Sequence, residues 1–318
     1  MKKYLFCLLF IFCSQLTFSQ EKYTVSGFVK EAETGEFLIG STVYIKENLK
    51  GVSTNQYGFY SITIEEGNYT LDFSFLGLQP QQKKINLNKD LRINISLENS
   101  SIVTNEVVIE AEGADRNVET SNMSQLRVDV KNIKKLPAFM GEVDVLKTIQ
   151  LLPGVQSSGE GSSGFYVRGG GPDQNLILLD EATVYNASHL FGFFSVFNAD
   201  AIKDINLIKG GMPAQYGGRL ASVLDISMKE GNNKKFEVDG GLGLVSSKLT
   251  LQGPLKKDTS SFIISARRTY IDVLVKPLIN DSSAFKGTGY YFYDLTSKVN
   301  YRISDNDRIF LSTYFGRD

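Results

Sequence analysis

Apolar and polar side chains alternate with a period of two over much of this chain, which predicts strands rather than helices for most of its elements. In residues 20–98 the alternating runs are short, with turn signals at roughly 8–12-residue spacing, the pattern of a small β-sandwich. Tyr23, Val25 and Gly27 open the series, and Thr42–Ile45 is a second strand. A turn at residues 55–58 feeds Ile62 and Ile64. Next, Tyr69, Leu71, Phe73 and Phe75 share one face, and Ile85, Leu87, Leu91, Ile93, Ile95 and Leu97 complete the set. These positions predict a core and no site.

Residues 99–125 are dominated by Ser, Asn, Glu and Thr around one apolar island, Val107, Val108 and Ile109, which predicts a linker holding one strand-forming segment. Residues 126–232 mix periods. Val143, Leu146, Ile149 and Leu152 fall on one helical face that ends at Pro153. Strands are expected at residues 165–167 and 176–179, the second apolar throughout and so buried on both faces. A short helix over residues 199–203 is expected to lead into a strand at 205–208, and 223–228 forms the last strand of this region.

From residue 233 the runs lengthen. In residues 291–303 the odd positions Tyr291, Tyr293, Leu295, Val299, Tyr301 and Ile303 are apolar or aromatic, while Asp294, Thr296, Lys298, Asn300 and Arg302 occupy the even ones. Long strands with apolar-out, polar-in alternation and aromatics near their ends are the pattern of an outer-membrane barrel. About four such strands are expected here, against at least 8 in a closed membrane barrel. An open sheet would leave unpaired edges in lipid, so the chain is expected to be the N-terminal part of a longer product.

Composition narrows the reading further. Lys2 and Lys3, the apolar run 4–12, and small residues Thr17 and Ser19 before Gln20 predict a secretory signal peptide over residues 1–19. Bulky Phe12 argues against acylation of Cys13. Both cysteines lie in this leader, and the formal net charge of −1 argues against nucleic acid as a partner. With one histidine, His189, and no mature cysteine, neither a zinc site of the usual N/S kind nor a Cys-His nucleophile can be assembled. No catalytic residue, metal ligand or cofactor is expected. His189 reads as a loop or packing residue, with contact to a ligand through the aromatic run 185–197 as the lesser alternative. Residues 159–164 spell G-x-G-x-x-G, but a strand follows where a dinucleotide site needs a helix, so a loop is expected.

Several motifs in order then resemble a known family. Val25-Ser26-Gly27-Phe28-Val29, Thr34-Gly35-Glu36, residues 38–43 and Gly58-Phe59-Tyr60 resemble the carboxypeptidase-regulatory-like sandwich that precedes the plug in receptors of the Bacteroidetes group. Residues 151–155, Phe165-Tyr166-Val167-Arg168-Gly169-Gly170, residues 175–180 and residues 209–219 resemble the plug of TonB-dependent receptors. The fold implied is mainly β: a sandwich over 20–98, an α+β plug domain over 126–232, and the first antiparallel strands of an incomplete outer-membrane β-barrel over 233–318. The resemblance makes Arg168, Gly169, Gly170, Asp180, Gly210, Gly211, Tyr216, Gly217, Gly218 and Arg219 plug-motif residues. The two arginines suit the polar inner wall of a barrel or ordinary surface ion pairs. It also places the energy-coupling box at Glu106, Val107, Val108 and Ile109. That segment would add as a strand to the partner TonB, or else end the sandwich.

The implied function is import of a scarce extracellular small ligand through the outer membrane, with its lipid as surroundings and sandwich and linker in the periplasm. A secreted carbohydrate-binding or adhesion module is the alternative, and an accessory domain of a peptidase a further one. Siderophore, peptide, cobalamin and glycan all remain open as ligands, with a lean away from glycans because the Arg168-Gly169-Gly170 form differs from the glycan importers' usual plug signature.

Overall fold

Which side of each strand meets solvent decides how these alternating runs assemble, and the two compact units of the chain settle it differently. The computed structural model describes residues 21–100, 124–133, 142–159, 161–275, 289–304 and 307–318. The leader and the Glu106, Val107, Val108, Ile109 segment lie outside them.

The first unit is a two-sheet sandwich. Its strands are β1 (Lys22–Glu31), β2 (Thr42–Ile45), β3 (Lys50–Ser53), β4 (Phe59–Glu65), β5 (Gly67–Ser74), β6 (Gln81–Leu87), β7 (Leu91–Arg92) and β8 (Ile95–Leu97). One sheet runs β4-β1-β7 with β8 also on β1, and the other β3-β2-β5-β6. Inward residues of both form one core, with Val25, Val29, Val43, Ile45, Leu71, Phe73, Leu87 and Leu97 fully buried. Tyr60 is buried with them, and its hydroxyl donates to Ile93 O at 2.9 Å, as a buried phenol requires. Any Cβ at Gly27 would lie 1.9 Å from Ile93 O, so glycine alone lets the chain beside β7 approach β1 this closely. The turn into β4 is held by Asn55, whose Oδ1 accepts from the backbone N–H of Tyr57 at 2.9 Å and Phe59 at 3.0 Å.

The second unit has an α+β body and a wall. The body comprises β9 (Gln125–Asp129), α1 (Val130–Ile133), α2 (Val145–Ile149), β10 (Val155–Ser157), β11 (Phe165–Val167), β12 (Asn175–Leu179), β13 (Ala182–Thr183), β14 (Ser188–His189), β15 (Phe194–Ser195), β16 (Ile202–Ile208) and β17 (Ser222–Met228). Its main sheet is ordered β13-β12-β17-β16-β9. Strand β17, last in sequence, is central, parallel to β12 and antiparallel to β16. Asp144 caps α2 by accepting from Lys147 N at 3.0 Å, and Val145, Leu146 and Ile149 enter a core with Ile205, Leu207, Leu224 and Ile226.

The helix expected over residues 199–203 is absent. Residues 199–201 form a turn, and β16 begins at Ile202, which pairs with Met228 beside a register shift. A backbone bond from Lys229 N to Ala201 O at 2.8 Å extends the ladder, so sheet pairing overrides a weak local helix preference.

The wall is one antiparallel sheet of β18 (Glu237–Leu242), β19 (Ser246–Lys256), β20 (Ser260–Thr269), β21 (Tyr293–Arg302) and β22 (Arg308–Arg317), with α3 (Ile271–Val275) between β20 and β21. It holds five strands where about four were expected, because Gly240 and Gly241 interrupt the apolar signal of β18. The sheet is inside-out relative to the sandwich. Asp294, Thr296, Lys298 and Asn300 are buried, while Leu295, Tyr301, Ile309, Leu311 and Phe315 are exposed. That is the sense an outer-membrane strand requires.

Candidate functional site

The inward parity of the wall carries polar groups, and they meet polar groups of the body in three clusters. The first centres on Arg267 of β20, almost wholly buried. Its Nη1 lies 2.9 Å from Glu142 Oε1, its Nε 2.9 Å from Asp294 Oδ2, and its Nη2 donates to Ser195 O at 2.6 Å. Asp294 also accepts from Tyr314 Oη at 2.8 Å and meets His189 Nε2 at 2.7 Å. The other ring nitrogen of His189 meets Asp318. The imidazole stacks on Phe292 at 4.1 Å. Ser246 donates to the second oxygen of Glu142 at 2.5 Å.

In the second cluster, Asn198 Nδ2 donates to Ser265 Oγ at 2.7 Å and Asp200 pairs with Lys248 at 2.7 Å. The third joins the body's lower strands to β21 and β22. Asp180 Oδ2 pairs with Lys298 Nζ at 2.9 Å and accepts from Ser312, while its Oδ1 accepts from Met228 N at 2.8 Å. Glu230 pairs with Arg308 at 3.1 Å, and its backbone oxygen takes Asn300 Nδ2 at 3.0 Å.

A buried ion pair contributes little net stability compared with apolar packing of the same volume, yet removing one partner costs about 3–5 kcal/mol. Among the described residues, Tyr314 of the wall packs against the body's main apolar core.

The residues singled out from sequence fall into two groups. Asp180 belongs to the seam, with a backbone φ of 46° that places both oxygens at once. Tyr216 packs on a small apolar cluster with Leu178, Ile208 and Val223, and its hydroxyl donates to Asp225 at 3.0 Å. Burial raises the Asp225 carboxyl above the usual carboxylate range, with Asp204, Glu181 and Asp180 adding to the effect. Arg168 and Arg219 are exposed. Arg168 donates to Ser124 Oγ at 2.9 Å and Arg219 to Gly218 O at 3.1 Å, and neither touches the wall strands among the described residues. Gly210 makes room for Arg168, since a Cβ there would lie 2.6 Å from its Nη1. Gly169, Gly170, Gly211, Gly217 and Gly218 lie in the loops around these arginines. The loop 159–164 joins the antiparallel strands β10 and β11, with Ser158 N bonded to Gly164 O at 3.0 Å. No helix follows it, so it offers no phosphate cradle.

Sequence reasoning missed Glu142, His189, Arg267 and Asp294 as one constellation. The available signal was parity: Asp294 lies on the polar side of a strand whose other side is apolar. The body also exposes Tyr166, Tyr185 and Phe193, with Tyr185 86 % accessible.

Comparison with known proteins adds the following. Residues 25–109 match the CarboxypepD_reg-like domain, and residues 118–223 match the TonB-dependent Receptor Plug Domain. The TonB-dependent receptor SusC of Bacteroides thetaiotaomicron is 26% identical over 234 residues, covering 70% of this chain and 22% of SusC. The chain thus spans about a fifth of that relative's length. Among solved structures, the siderophore receptor PirA from Acinetobacter baumannii aligns with a TM-score of 0.45 at 21% identity, over 61% of this chain and 31% of PirA. The outer membrane transporter YddB from Escherichia coli aligns at 0.42 and 15% identity, over 59% and 32%.

Proposed function

We propose that this chain, which carries a TonB-dependent Receptor Plug Domain, is part of an outer-membrane receptor that couples capture of an extracellular small ligand to a pull delivered by TonB. The observation that carries this reading is the seam: the plug is held to the wall through Arg267, Asp294, Glu142, Asp180 and Lys298 rather than by an apolar core. Ligand would meet the exposed aromatics Tyr166, Tyr185 and Phe193 of the plug. Glu106, Val107, Val108 and Ile109 would pair with TonB as an added strand, whose backbone hydrogen bonds transmit force along the chain to the plug. Exchange of seam contacts for water would then let the plug shift.

A second reading of that segment has its own support. The CarboxypepD_reg-like match runs to residue 109, which favours a last strand of the sandwich. The double substitution Val107→Pro, Val108→Pro separates the two, because proline removes the N–H donors that either pairing needs. Affinity of the receptor for the isolated periplasmic domain of TonB is measured by calorimetry, and sandwich stability by hydrogen exchange in β1 and β5. Loss of at least tenfold in affinity with unchanged exchange is expected. Unchanged affinity with faster exchange would replace the coupling-box reading by the structural one.

A further inference from the structure

The outward face of the wall holds a feature that coupling and capture do not use. The registers align two adjacent rows across all five strands. One row is Gly240, Leu249, Ala266, Leu295 and Phe315, and the next is Leu242, Ser247, Arg268, Tyr293 and Arg317. In the first row Ala266 sits between Leu249 and Leu295, and Gly240 lies beside Leu249 at the sheet edge. The result is a mostly apolar groove of about 940 Å³, whose lining also takes in Arg268 and, from the inward parity, Lys248, Arg267 and Asp294.

The second row brings charge to the end of an otherwise apolar band. Arg268 and Arg317 flank Tyr293 on neighbouring strands, so their Cα atoms lie two strand spacings, about 10 Å, apart. The Arg268 side chain is half exposed, its guanidinium stands 5.4 Å over the Tyr291 ring, and its anionic neighbour Asp272 is at 3.5 Å, a long and weak contact. Arg317 is exposed and makes no ion pair among the described residues. In outer-membrane barrels the turns on the periplasmic side are short and the extracellular loops longer. Here residues 257–259 and 303–307 connect strands at one end, while the turn 243–245 and the longest connection, 270–292, lie at the arginine end. The arginine row therefore lies at the level of the outer leaflet.

We propose that this groove is a binding site for a phosphate-bearing lipid of the outer leaflet. An acyl chain lies along Gly240, Leu249, Ala266, Leu295 and Phe315, and the phosphate is held between Arg268 and Arg317. Guanidinium is the side chain suited to this task, because its planar fork gives a phosphate two parallel charge-assisted hydrogen bonds. Tyr291 and Tyr293 supply the amphipathic ring surface that belongs at a headgroup boundary. The two arginines lie on the outward parity of the wall, opposite to that of Arg267 and Asp294.

The test uses the receptor extracted from its own outer membrane in mild detergent, stripped of lipid and titrated by native mass spectrometry. Three probes are compared: bis-phosphorylated lipid A, the same lipid with both phosphates removed, and inorganic phosphate. The phosphorylated lipid is expected to bind at least tenfold more tightly than the dephosphorylated one, with millimolar inorganic phosphate unable to displace it. The pair Arg268→Gln, Arg317→Gln removes that preference, and the pair Arg268→Lys, Arg317→Lys keeps part of it. Equal binding of both lipids to the unaltered receptor overturns the proposal even if the glutamine variant fails to assemble. Displacement by inorganic phosphate overturns it as well, since the groove would then contribute nothing.

Discussion

Strands β5 and β21 obey the same period of two and bury opposite halves of it. In β5, Leu71 and Phe73 are fully buried and the polar positions between them are not; in β21, Asp294, Thr296 and Asn300 are buried and Leu295 and Tyr301 are exposed. Alternation alone therefore specifies a strand and leaves its sense undetermined. The sense follows from what the strand is solvated by. Water outside forces the apolar half inward, whereas lipid outside forces the polar half inward, where it needs hydrogen-bonding partners. The sandwich answers the first demand with an apolar core and the wall answers the second with a polar seam.

The substitution Asp294→Ala breaks this comparison most sharply. It strips Arg267, His189 and Tyr314 of a shared acceptor at a site that is almost fully buried. Leaving a buried guanidinium underpaired costs about 3–5 kcal/mol. Thermal unfolding of the receptor in detergent should show a marked drop in Tm, with faster proteolysis within residues 142–197. A loss below about 1 kcal/mol would mean that the seam is hydrated and does not hold the plug.

A matched pair of leucine truncations comes next. Leu71→Ala opens a cavity in the sandwich core and is expected to cost about 2–5 kcal/mol, read as faster hydrogen exchange across β2 and β5. Leu295→Ala removes the same atoms from an outward position, where lipid or detergent fills the space, and should change stability by no more than about 0.5 kcal/mol. Equal costs would contradict the assignment of opposite faces.

Most of the architecture was legible because period-two alternation is local: Tyr69, Leu71 and Phe73, or Tyr293 and Leu295, declare their strands without reference to the rest of the chain. The failures were non-local. Ala199 to Ala201 carry a weak helical preference that pairing of Ile202 with Met228 overrides. Gly240 and Gly241 hid β18, whose existence depends on its partner β19. The seam was the least legible part. Glu142, His189, Arg267 and Asp294 lie far apart in sequence and have no fixed spacing, and only the fold of plug against wall makes them neighbours. Arg168 and Arg219 were conspicuous in the motifs, yet the contacts with the wall come from Asp180 and from residues outside the motifs, Glu142, His189, Asp200 and Glu230 among them.

The smallest expected effect concerns a carboxylate inside the plug that lacks the seam's cations. Asp225 lies on the central strand β17, opposite Leu178 and Asn206, and accepts from the Tyr216 hydroxyl at 3.0 Å. Burial raises its pKa in the folded state, with Asp204, Glu181 and Asp180 acting in the same direction. A raised carboxyl pKa means that the fold favours the protonated form, so the associated stability is complete below the unfolded carboxylate value, about 3.9, and is lost as pH rises through the folded value. Asp225→Asn is neutral at every pH and keeps an oxygen to accept from Tyr216. It should raise the Tm of the plug at pH 7, and the gain should shrink towards zero as the pH approaches the unfolded carboxylate value. A gain independent of pH would assign the effect to packing, and a loss at neutral pH would mean that the ionised carboxylate is stabilised within the plug, as Asp180 is at the seam.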